Sequence, residues 1–382
     1  MSIKDIVIKE IRFIFKREPI IIFLLLGVGA AYTTLMGLLY SANVMNHVPM
    51  IIYDQDQTQL SRSLIQALDD SEKFQIVADV LSQEEMESML RDQIGYCALS
   101  IPPNYSRDIK NGFGSNLLFE LNASNLVFDG AVISMVQEIV SNYLSSIKMG
   151  LLEAAGQLPS QALSHVAPIQ FRLRVLNNPT LNYTSFFVLG IFFVAFQTGV
   201  MMAVSMTMAN EYKKFQELRN TAAVKVLFAK LLPYWIGGIG GFIASILIAV
   251  DVFGVPFRGS VASLLFLGTV FIFVITSLAS LLPAFCTNQV FLLQLVVSYA
   301  VPCFLFSGYT WPRYAMNLFG WTISCIIPVT YIADNVRDLA LHGYAPDLQI
   351  SIIFLLTAGT ALFALSTALY SWRRKQAANS MV

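Results

Sequence analysis

The sequence predicts an α-helical membrane protein with six transmembrane helices and one α/β domain inserted between the first and second helix. Six uncharged stretches are each roughly 17 residues or longer, the length needed to cross a hydrocarbon core of about 30 Å, and five of them crowd towards the second half of the chain. The first stretch stands alone near the N-terminus, because the polar segment 41–182 separates it from the others.

The predicted spans contain no Asp, Glu, Lys or Arg on any face, and they occupy residues 20–40, 183–209, 231–250, 261–285, 290–306 and 348–370. Buried helices of a soluble enzyme would need charged solvent faces at a helical period. The sequence therefore favours membrane helices over a soluble helical core.

The net charge of zero hides an uneven distribution of charge. Lys and Arg are concentrated in residues 1–19, in the loop 210–230 and after the last span, whereas residues 41–182 carry eight basic and fifteen acidic residues. Positively charged flanks stay on the cytoplasmic side of a membrane. We therefore expect both termini and the 210–230 loop in the cytoplasm and the 41–182 domain outside.

Residues 314–332 form a further uncharged stretch that could be a seventh span. An odd number of spans would place the basic cluster of Arg373, Arg374 and Lys375 outside, and Pro328 interrupts the stretch. We predict that residues 309–332 form an outer re-entrant segment instead. Irregular backbone at that depth must be sheltered by protein or line a water-filled cavity.

The N-terminal segment 1–19 has the pattern of an amphipathic helix that lies in the membrane interface. One predicted face carries the apolar residues Ile3, Val7, Ile11, Ile14 and Phe15, and the other carries the basic residues Lys9, Arg12 and Lys16. Ile6 and Phe13 lie on the basic face despite being apolar. An alternative is that the basic residues only set the topology.

The external domain alternates predicted strands and helices, which indicates an α/β fold. The strands are predicted at 49–53, 74–80, 95–101 and 116–122, and the helices at 61–68, from residue 82, and at 125–157. Asp54 and Asp56 lack the Gly and Glu of a calcium loop, so we interpret them as turn residues. No catalytic, metal or nucleic-acid motif is recognisable, and the chain lacks the Gly-rich Walker A pattern, so another chain must drive any uphill transport.

Several short motifs carry a resemblance to a known family. They are Leu-Leu-Pro-Tyr at 231–234, Val-Pro-Phe-Arg-Gly-Ser at 255–260, Phe-Ser-Gly-Tyr-Thr-Trp-Pro at 306–312 and Ile-Pro-Val-Thr-Tyr at 327–331, followed by Arg337 and Gly343. Together with Asp-Gln-Asp at 54–56, Ser61-Arg62 and Ile101-Pro102, they make the chain resemble the permease of ABC-2 type exporters, in the branch with a long external insert.

The resemblance implies a role for several segments. The loop 210–230 would contain the helix that couples to an ATPase subunit, with candidates Glu211, Lys213, Lys214, Glu217 and Arg219, and residues 1–19 would be the connecting helix. Ser307, Gly308, Pro312 and Pro328 would shape the outer gate.

The resemblance also implies two permeases, identical or paralogous, bound to two ATPase subunits that hold the ATP and Mg²⁺, with no cofactor on this chain. The resemblance places the chain in a bacterial inner membrane with the 41–182 domain in the periplasm, where an adaptor is a further candidate partner. Side chains of spans two and five are candidates to line a path for an amphipathic, drug-like or lipid-like substrate, although for any one of them packing against neighbouring helices or lipid is the favoured interpretation: Phe192, Phe193, Phe196, Gln197, Phe291 and Gln294. A competing hypothesis is a membrane-anchored receptor or scaffold that binds a partner without transport.

Overall fold

The computed structural model describes residues 2–41, 46–111, 113, 115–122, 126–154, 183–213 and 221–379. The chain divides into two compact units. We call Met1–Asn43 with Val175–Val382 the membrane unit, and Val44–Arg174 the inserted unit.

The chain begins with helix α1, Ile3–Lys16. Ser2 caps it, because the Ser2 hydroxyl accepts the Asp5 amide at 3.2 Å while the Asp5 carboxylate accepts the Ser2 amide at 3.0 Å. This reciprocal arrangement satisfies two amides that a helix start leaves unpaired. Helix α2 follows over Ile20–Leu39 and contains a π-helical turn at Phe23–Gly27.

The buried face of α1 differs from the predicted one. Ile6, Glu10 and Ile14 are the buried residues, whereas Ile11 and Phe15 are 40% and 65% exposed. The prediction that Ile6 lies on the polar side was therefore wrong. The spacing of four residues places Ile6, Glu10 and Ile14 on one stripe, and this stripe faces protein because Glu10 has polar partners there.

The inserted unit is built on a four-stranded mixed sheet. Its strands lie on the four predicted segments: β1 Val48–Asp54, β2 Phe74–Asp79, β3 Cys97–Ile101 and β4 Leu118–Leu121. The strand order is β2-β1-β3-β4, with β1 parallel to β2 and β3, and β4 antiparallel to β3.

Helices cover both faces of this sheet, as parallel strands require. They are α3 Gln59–Asp69, α4 Gln83–Arg91, α5 Tyr105–Lys110 and α6 Leu126–Ala154. Helices α3, α5 and α6 share one apolar core with the sheet, whereas Met86 and Leu90 of α4 pack on its other face. Asp54 accepts the Asp56 and Gln57 amides at 3.0 Å, which confirms the turn interpretation of this segment.

The rest of the membrane unit consists of helices. They are α7 Tyr183–Lys213, α8 Ala223–Val252, α9 Val261–Ala284, α10 Gln289–Leu305, α11 Leu318–Ile326, α12 Pro328–His342 and α13 Leu348–Asn379. Five described helices are long and apolar enough to cross a membrane, namely α2, α7, α8, α9 and α13. Helix α10 lies on the predicted span 290–306 and is apolar, but with 17 residues it is shorter than these five helices, so the predicted number of six spans is not confirmed.

Residues 314–332 do not form one helix. Ile327 is extended, with φ −80° and ψ 121°, between the end of α11 and Pro328 at the first position of α12. The prediction that this stretch is not a seventh span is confirmed, since α11 has nine residues and α12 fifteen.

Helix α7 lies at the centre of the membrane unit. Its Phe193 ring contacts Phe242 of α8 with ring centroids 6.2 Å apart and Phe271 of α9 at 6.0 Å. Helix α8 approaches the backbone of α2 so closely that a Cβ at Gly241 would lie 2.0 Å from the Leu25 carbonyl oxygen. Small residues permit such contact between membrane helices, and α8 has four glycines within residues 237–241.

Candidate functional site: a buried ion cluster at the base of the bundle

Several cross-helix contacts define one end of the membrane unit, which we call the base. There Lys230 pairs with Glu10 and Glu211, and Tyr370 contacts Glu211. Gln289 contacts Asn210 in a separate side-chain pair. At the opposite end, the insert end, the Thr184 hydroxyl donates to the Tyr40 carbonyl oxygen at 2.6 Å. The inserted unit joins the bundle in sequence at this second end.

A lysine held by two carboxylates lies at the base. Lys230 Nζ is 3.0 Å from Glu10 Oε2 and 2.9 Å from Glu211 Oε2. The three side chains are only 11%, 5% and 9% exposed. Buried charges of this kind are stable only when paired, and removing one partner typically costs about 3–5 kcal/mol. We call Glu10, Lys230 and Glu211 the ion cluster.

A tyrosine hydroxyl contacts the second oxygen of each carboxylate. The Tyr234 hydroxyl lies 2.9 Å from Glu10 Oε1 and the Tyr370 hydroxyl 3.0 Å from Glu211 Oε1. Each carboxylate therefore has the ammonium on one oxygen and a phenol on the other. Tyr234 also contacts the Thr207 hydroxyl at 2.6 Å. The cluster thereby ties together α1, α7, α8 and α13.

The same region anchors both borders of the 214–220 loop segment. Asn210 Oδ1 accepts from the Gln289 amide at 3.1 Å, and Glu211 is held by Lys230. On the far side, Arg374 donates to the Thr221 carbonyl oxygen at 2.7 Å. Helices α8, α10 and α13 thus hold the two described borders of this loop, so a displacement of the loop acts on three helices at once.

The predicted coupling residues fall into two groups. Glu211 lies inside the protein, where the ion cluster uses its carboxylate, so its side chain does not project from the loop. Lys213 is the last residue of α7, whereas Lys214, Glu217 and Arg219 lie outside the described residues.

The predicted pathway residues are separated by the structure. Phe192, Phe193, Phe196 and Gln197 are all at most 1% exposed and belong to the interior of the single chain. Phe291 and Gln294, in contrast, are exposed on α10. Among the described residues neither amide atom of Gln197 has a hydrogen-bond partner, and the Cys303 thiol of α10 lies beside it.

Three of the four predicted gate residues lie close together in the chain directly after α10. Ser307 is buried, donates to the Phe304 carbonyl oxygen at 2.7 Å and accepts the Tyr309 amide at 3.2 Å. Gly308 has φ +89°, which L side chains rarely adopt. Pro312 precedes the short helical turn Arg313–Ala315, and Pro328 begins α12.

Sequence reasoning placed Tyr309 and Arg337 in the family motifs but not in the gate. The Tyr309 side chain is buried against α7, where its hydroxyl donates to the Phe186 carbonyl oxygen. Arg337 lies over the Tyr309 ring at 5.3 Å and pairs with Asp334 at 3.0 Å. Burial raises the pKa of the Asp334 carboxyl above its ordinary value, although Arg337 opposes this shift.

The ion cluster was also missed, because Lys230 borders an apolar stretch and was counted as part of the loop. Two signals were present in the sequence. Glu10 follows Ile6 and precedes Ile14 at the spacing of one helical stripe, and Lys230 lies one turn before Tyr234.

Comparisons with known proteins identify a family that matches most of the chain. The model of the family described as "ABC-2 family transporter protein" matches residues 19–370. The probable multidrug ABC transporter permease YbhR of Escherichia coli K12 is 23% identical over 334 residues, covering 84% of this chain and 86% of its own length.

Two further E. coli K12 proteins are similar. The inner membrane transport permease YhhJ is 21% identical over 334 residues, 84% of each chain, and the probable multidrug permease YbhS is 26% identical over 175 residues, 44% of this chain and 46% of its own. With the apolar helices, the family match identifies a multi-pass membrane protein. The chain belongs to the ABC-2 transporter family and is the permease component of an ABC transporter.

Proposed function

We propose that the chain is the membrane-spanning subunit of an ATP-driven exporter, which works as a dimer with separate ATPase subunits and moves an amphipathic, drug-like or lipid-like substrate out of the cytoplasm or the inner leaflet. Helix α10 then also crosses the membrane, as the fifth of six spans. Both termini are cytoplasmic, and the inserted unit is periplasmic in a bacterial inner membrane. The basic residues at the base support this orientation.

The observation that carries the proposal is the anchoring of the loop borders by the ion cluster, Gln289 and Arg374. A loop attached to rigid helices at both ends transmits a push into the bundle. Because Glu10 shares Lys230 with Glu211, α1 moves with the loop. ATP and Mg²⁺ bind on the partner chain, and closure of the ATPase subunits shifts the spans between inward-closed and outward-open arrangements.

The exposed face of α10 supports a second permease, identical or paralogous, beside this one. Gln294 and Ser298 are polar and exposed on an otherwise apolar helix, and polar side chains on membrane helices favour helix–helix contact over lipid. Phe291 lies on the same helix and is 51% exposed. The path then lies between two copies, and the multidrug names of YbhR and YbhS support a drug-like substrate. A periplasmic adaptor would contact the inserted unit.

The test is co-purification in mild detergent from the native host, with mass spectrometry to identify an ABC ATPase bound to the chain. We expect the ATPase to remain bound to the wild type and to be lost when Lys213, Lys214, Glu217 and Arg219 are replaced by Ser. The matched control is Arg91→Ser, because Arg91 is a highly exposed cation of the inserted unit. Cells with the wild-type complex should also retain less of the amphipathic dye Hoechst 33342.

Absence of the ATPase from the wild-type preparation would refute the exporter assembly and favour a receptor or scaffold. Equal loss of the ATPase in the Arg91→Ser control would show that the loop is not the docking segment.

A further inference from the structure

An apolar cleft opens beside the ion cluster, between the first two helices and α8. Its volume is about 230 Å³, and its walls come from all three helices: Ile11 and Phe15 of α1, Leu25 and Leu26 of α2, and Pro233 and Gly237 of α8. For comparison, an engineered cavity of about 150 Å³ in another protein binds benzene. Phe15 and Leu26 are 65% and 41% exposed, so the rim is open to the surroundings of the bundle.

The local sequence explains why the three helices leave this space. Helix α1 ends at Lys16, and Pro19 precedes α2, so the chain turns between them. Pro233 lies inside α8 and cannot donate a backbone hydrogen bond there. Gly237, one turn further, adds no side chain to the wall.

Two cations of α1 are sequence neighbours of residues that line the cleft. Arg12 follows the lining residue Ile11, and Lys16 follows the lining residue Phe15. Both cations are exposed, and no carboxylate pairs with either within the described residues. Glu10, the acid nearest in sequence to Arg12, is turned inward and is held by Lys230. The exposed part of segment 9–17 is therefore positive.

We infer that this cleft binds one acyl chain of an anionic phospholipid whose headgroup contacts Arg12 and Lys16. The wall is apolar where an acyl chain would lie, and the exposed Arg12 and Lys16 on the same helix suit an anionic headgroup. Each basic side chain near an anionic membrane surface contributes about 1 kcal/mol, which is about fivefold in binding. The bound lipid supports the α1 segment that carries Glu10 into the ion cluster. This inference depends on neither the ATPase nor transport.

The test uses tryptophan quenching by brominated lipids in reconstituted vesicles. The four native tryptophans are replaced by Phe, and one reporter is introduced as Phe15→Trp beside the cleft or as Leu356→Trp on α13, which is 38% exposed. Brominated phosphatidylglycerol is compared with brominated phosphatidylcholine. We expect a preference for phosphatidylglycerol of about fivefold or more at the Phe15 reporter, and a ratio near one at the Leu356 reporter.

Replacing Arg12 and Lys16 by Gln should reduce the preference for phosphatidylglycerol over phosphatidylcholine at the Phe15 reporter to the value at the Leu356 reporter. Equal ratios at the two reporters with both cations intact would overturn the inference, since the cleft would then hold ordinary annular lipid. Competitive displacement by Hoechst 33342 without any phosphatidylglycerol preference would overturn it in favour of a cargo entry site.

The tryptophan-free background could unfold, because Trp235 donates to the Thr276 hydroxyl. Native mass spectrometry of the otherwise wild-type chain during stepwise delipidation provides an independent measurement. Phosphatidylglycerol should be retained as the last bound lipid, and Ile236→Trp, which enlarges a cleft-lining residue, should release it. Release of phosphatidylglycerol at the same step from wild type, Ile236→Trp and the Arg12→Gln/Lys16→Gln variant would overturn the inference.

Discussion

Glu211 Oε2 lies 2.9 Å from Lys230 Nζ, although the two residues stand on opposite sides of the charged loop in sequence. This ion pair joins the helices on the two sides of the loop, and Glu10 attaches the N-terminal helix to the same ammonium. Three segments that are far apart in sequence therefore share one buried charge. Such a junction is both a stability element and a mechanical link.

Replacing Lys230 by Met should strongly destabilise the membrane unit. The change leaves Glu10 and Glu211 as two buried carboxylates without a cation, and loss of one partner from a buried ion pair costs about 3–5 kcal/mol. Thermal unfolding in detergent measures the effect. Lys225→Met is the matched control, because Lys225 lies on the same helix but is exposed, and surface substitutions usually change stability by less than about 0.5 kcal/mol.

A triple variant separates stability from coupling. Glu10→Gln, Lys230→Met and Glu211→Gln together remove every charge of the cluster, and neutral replacements of buried ion pairs are often tolerated. We expect most of the stability to return while transport remains low and the bound ATPase still hydrolyses ATP. Full recovery of transport would show that the cluster has no coupling role.

At the insert end, Tyr309→Phe should lower stability by about 1 kcal/mol, the usual value of one hydrogen bond. The change removes the bond to the Phe186 carbonyl oxygen but keeps the ring beneath Arg337. Gly190→Val should cost more, because a Cβ at Gly190 would overlap the Tyr309 ring. The control is Tyr314→Phe, since Tyr314 is 92% exposed. In thermal unfolding, Tyr314→Phe should be the most stable of the three variants, Tyr309→Phe the next and Gly190→Val the least stable. A Tyr309→Phe variant as stable as Tyr314→Phe would contradict the hydrogen bond from Tyr309 to the Phe186 carbonyl oxygen.

The sequence predicts five of the six spans and the four strands correctly, because each depends on a local pattern. Uncharged length identifies the spans, and alternation bounded by turn residues identifies β1 to β4. The ion cluster depends instead on Glu10 and Lys230 meeting across 220 positions of sequence, which no local pattern encodes. For the same reason Ile6 was assigned to the polar face of α1, since hydrophobic periodicity cannot show which of two apolar stripes meets protein and which meets lipid.

Gln197→Leu should be neutral or stabilising by as much as about 1–3 kcal/mol. Both amide atoms are buried without a hydrogen-bond partner among the described residues, and an unsatisfied buried polar group costs roughly this amount. Gln197→Glu is the contrasting variant, because it adds an unpaired charge at the same place and should destabilise. Differential scanning fluorimetry measures both. A clear loss of stability in Gln197→Leu would mean that the amide has a partner in the assembled transporter.

Thiol labelling should distinguish Cys97 from Cys286. Cys97 is buried in β3, and burial raises the pKa of its thiol to about 12. Because the thiolate is the reacting form, only about one molecule in 10⁴ is reactive at pH 8. N-ethylmaleimide should therefore modify the partly exposed Cys286 and leave Cys97 intact until urea unfolds the inserted unit, when its thiol regains an ordinary pKa. Peptide mass spectrometry measures both rates, with Cys97→Ala to assign the signal. Equal modification rates of Cys97 and Cys286 in the folded protein would show that β3 is not buried.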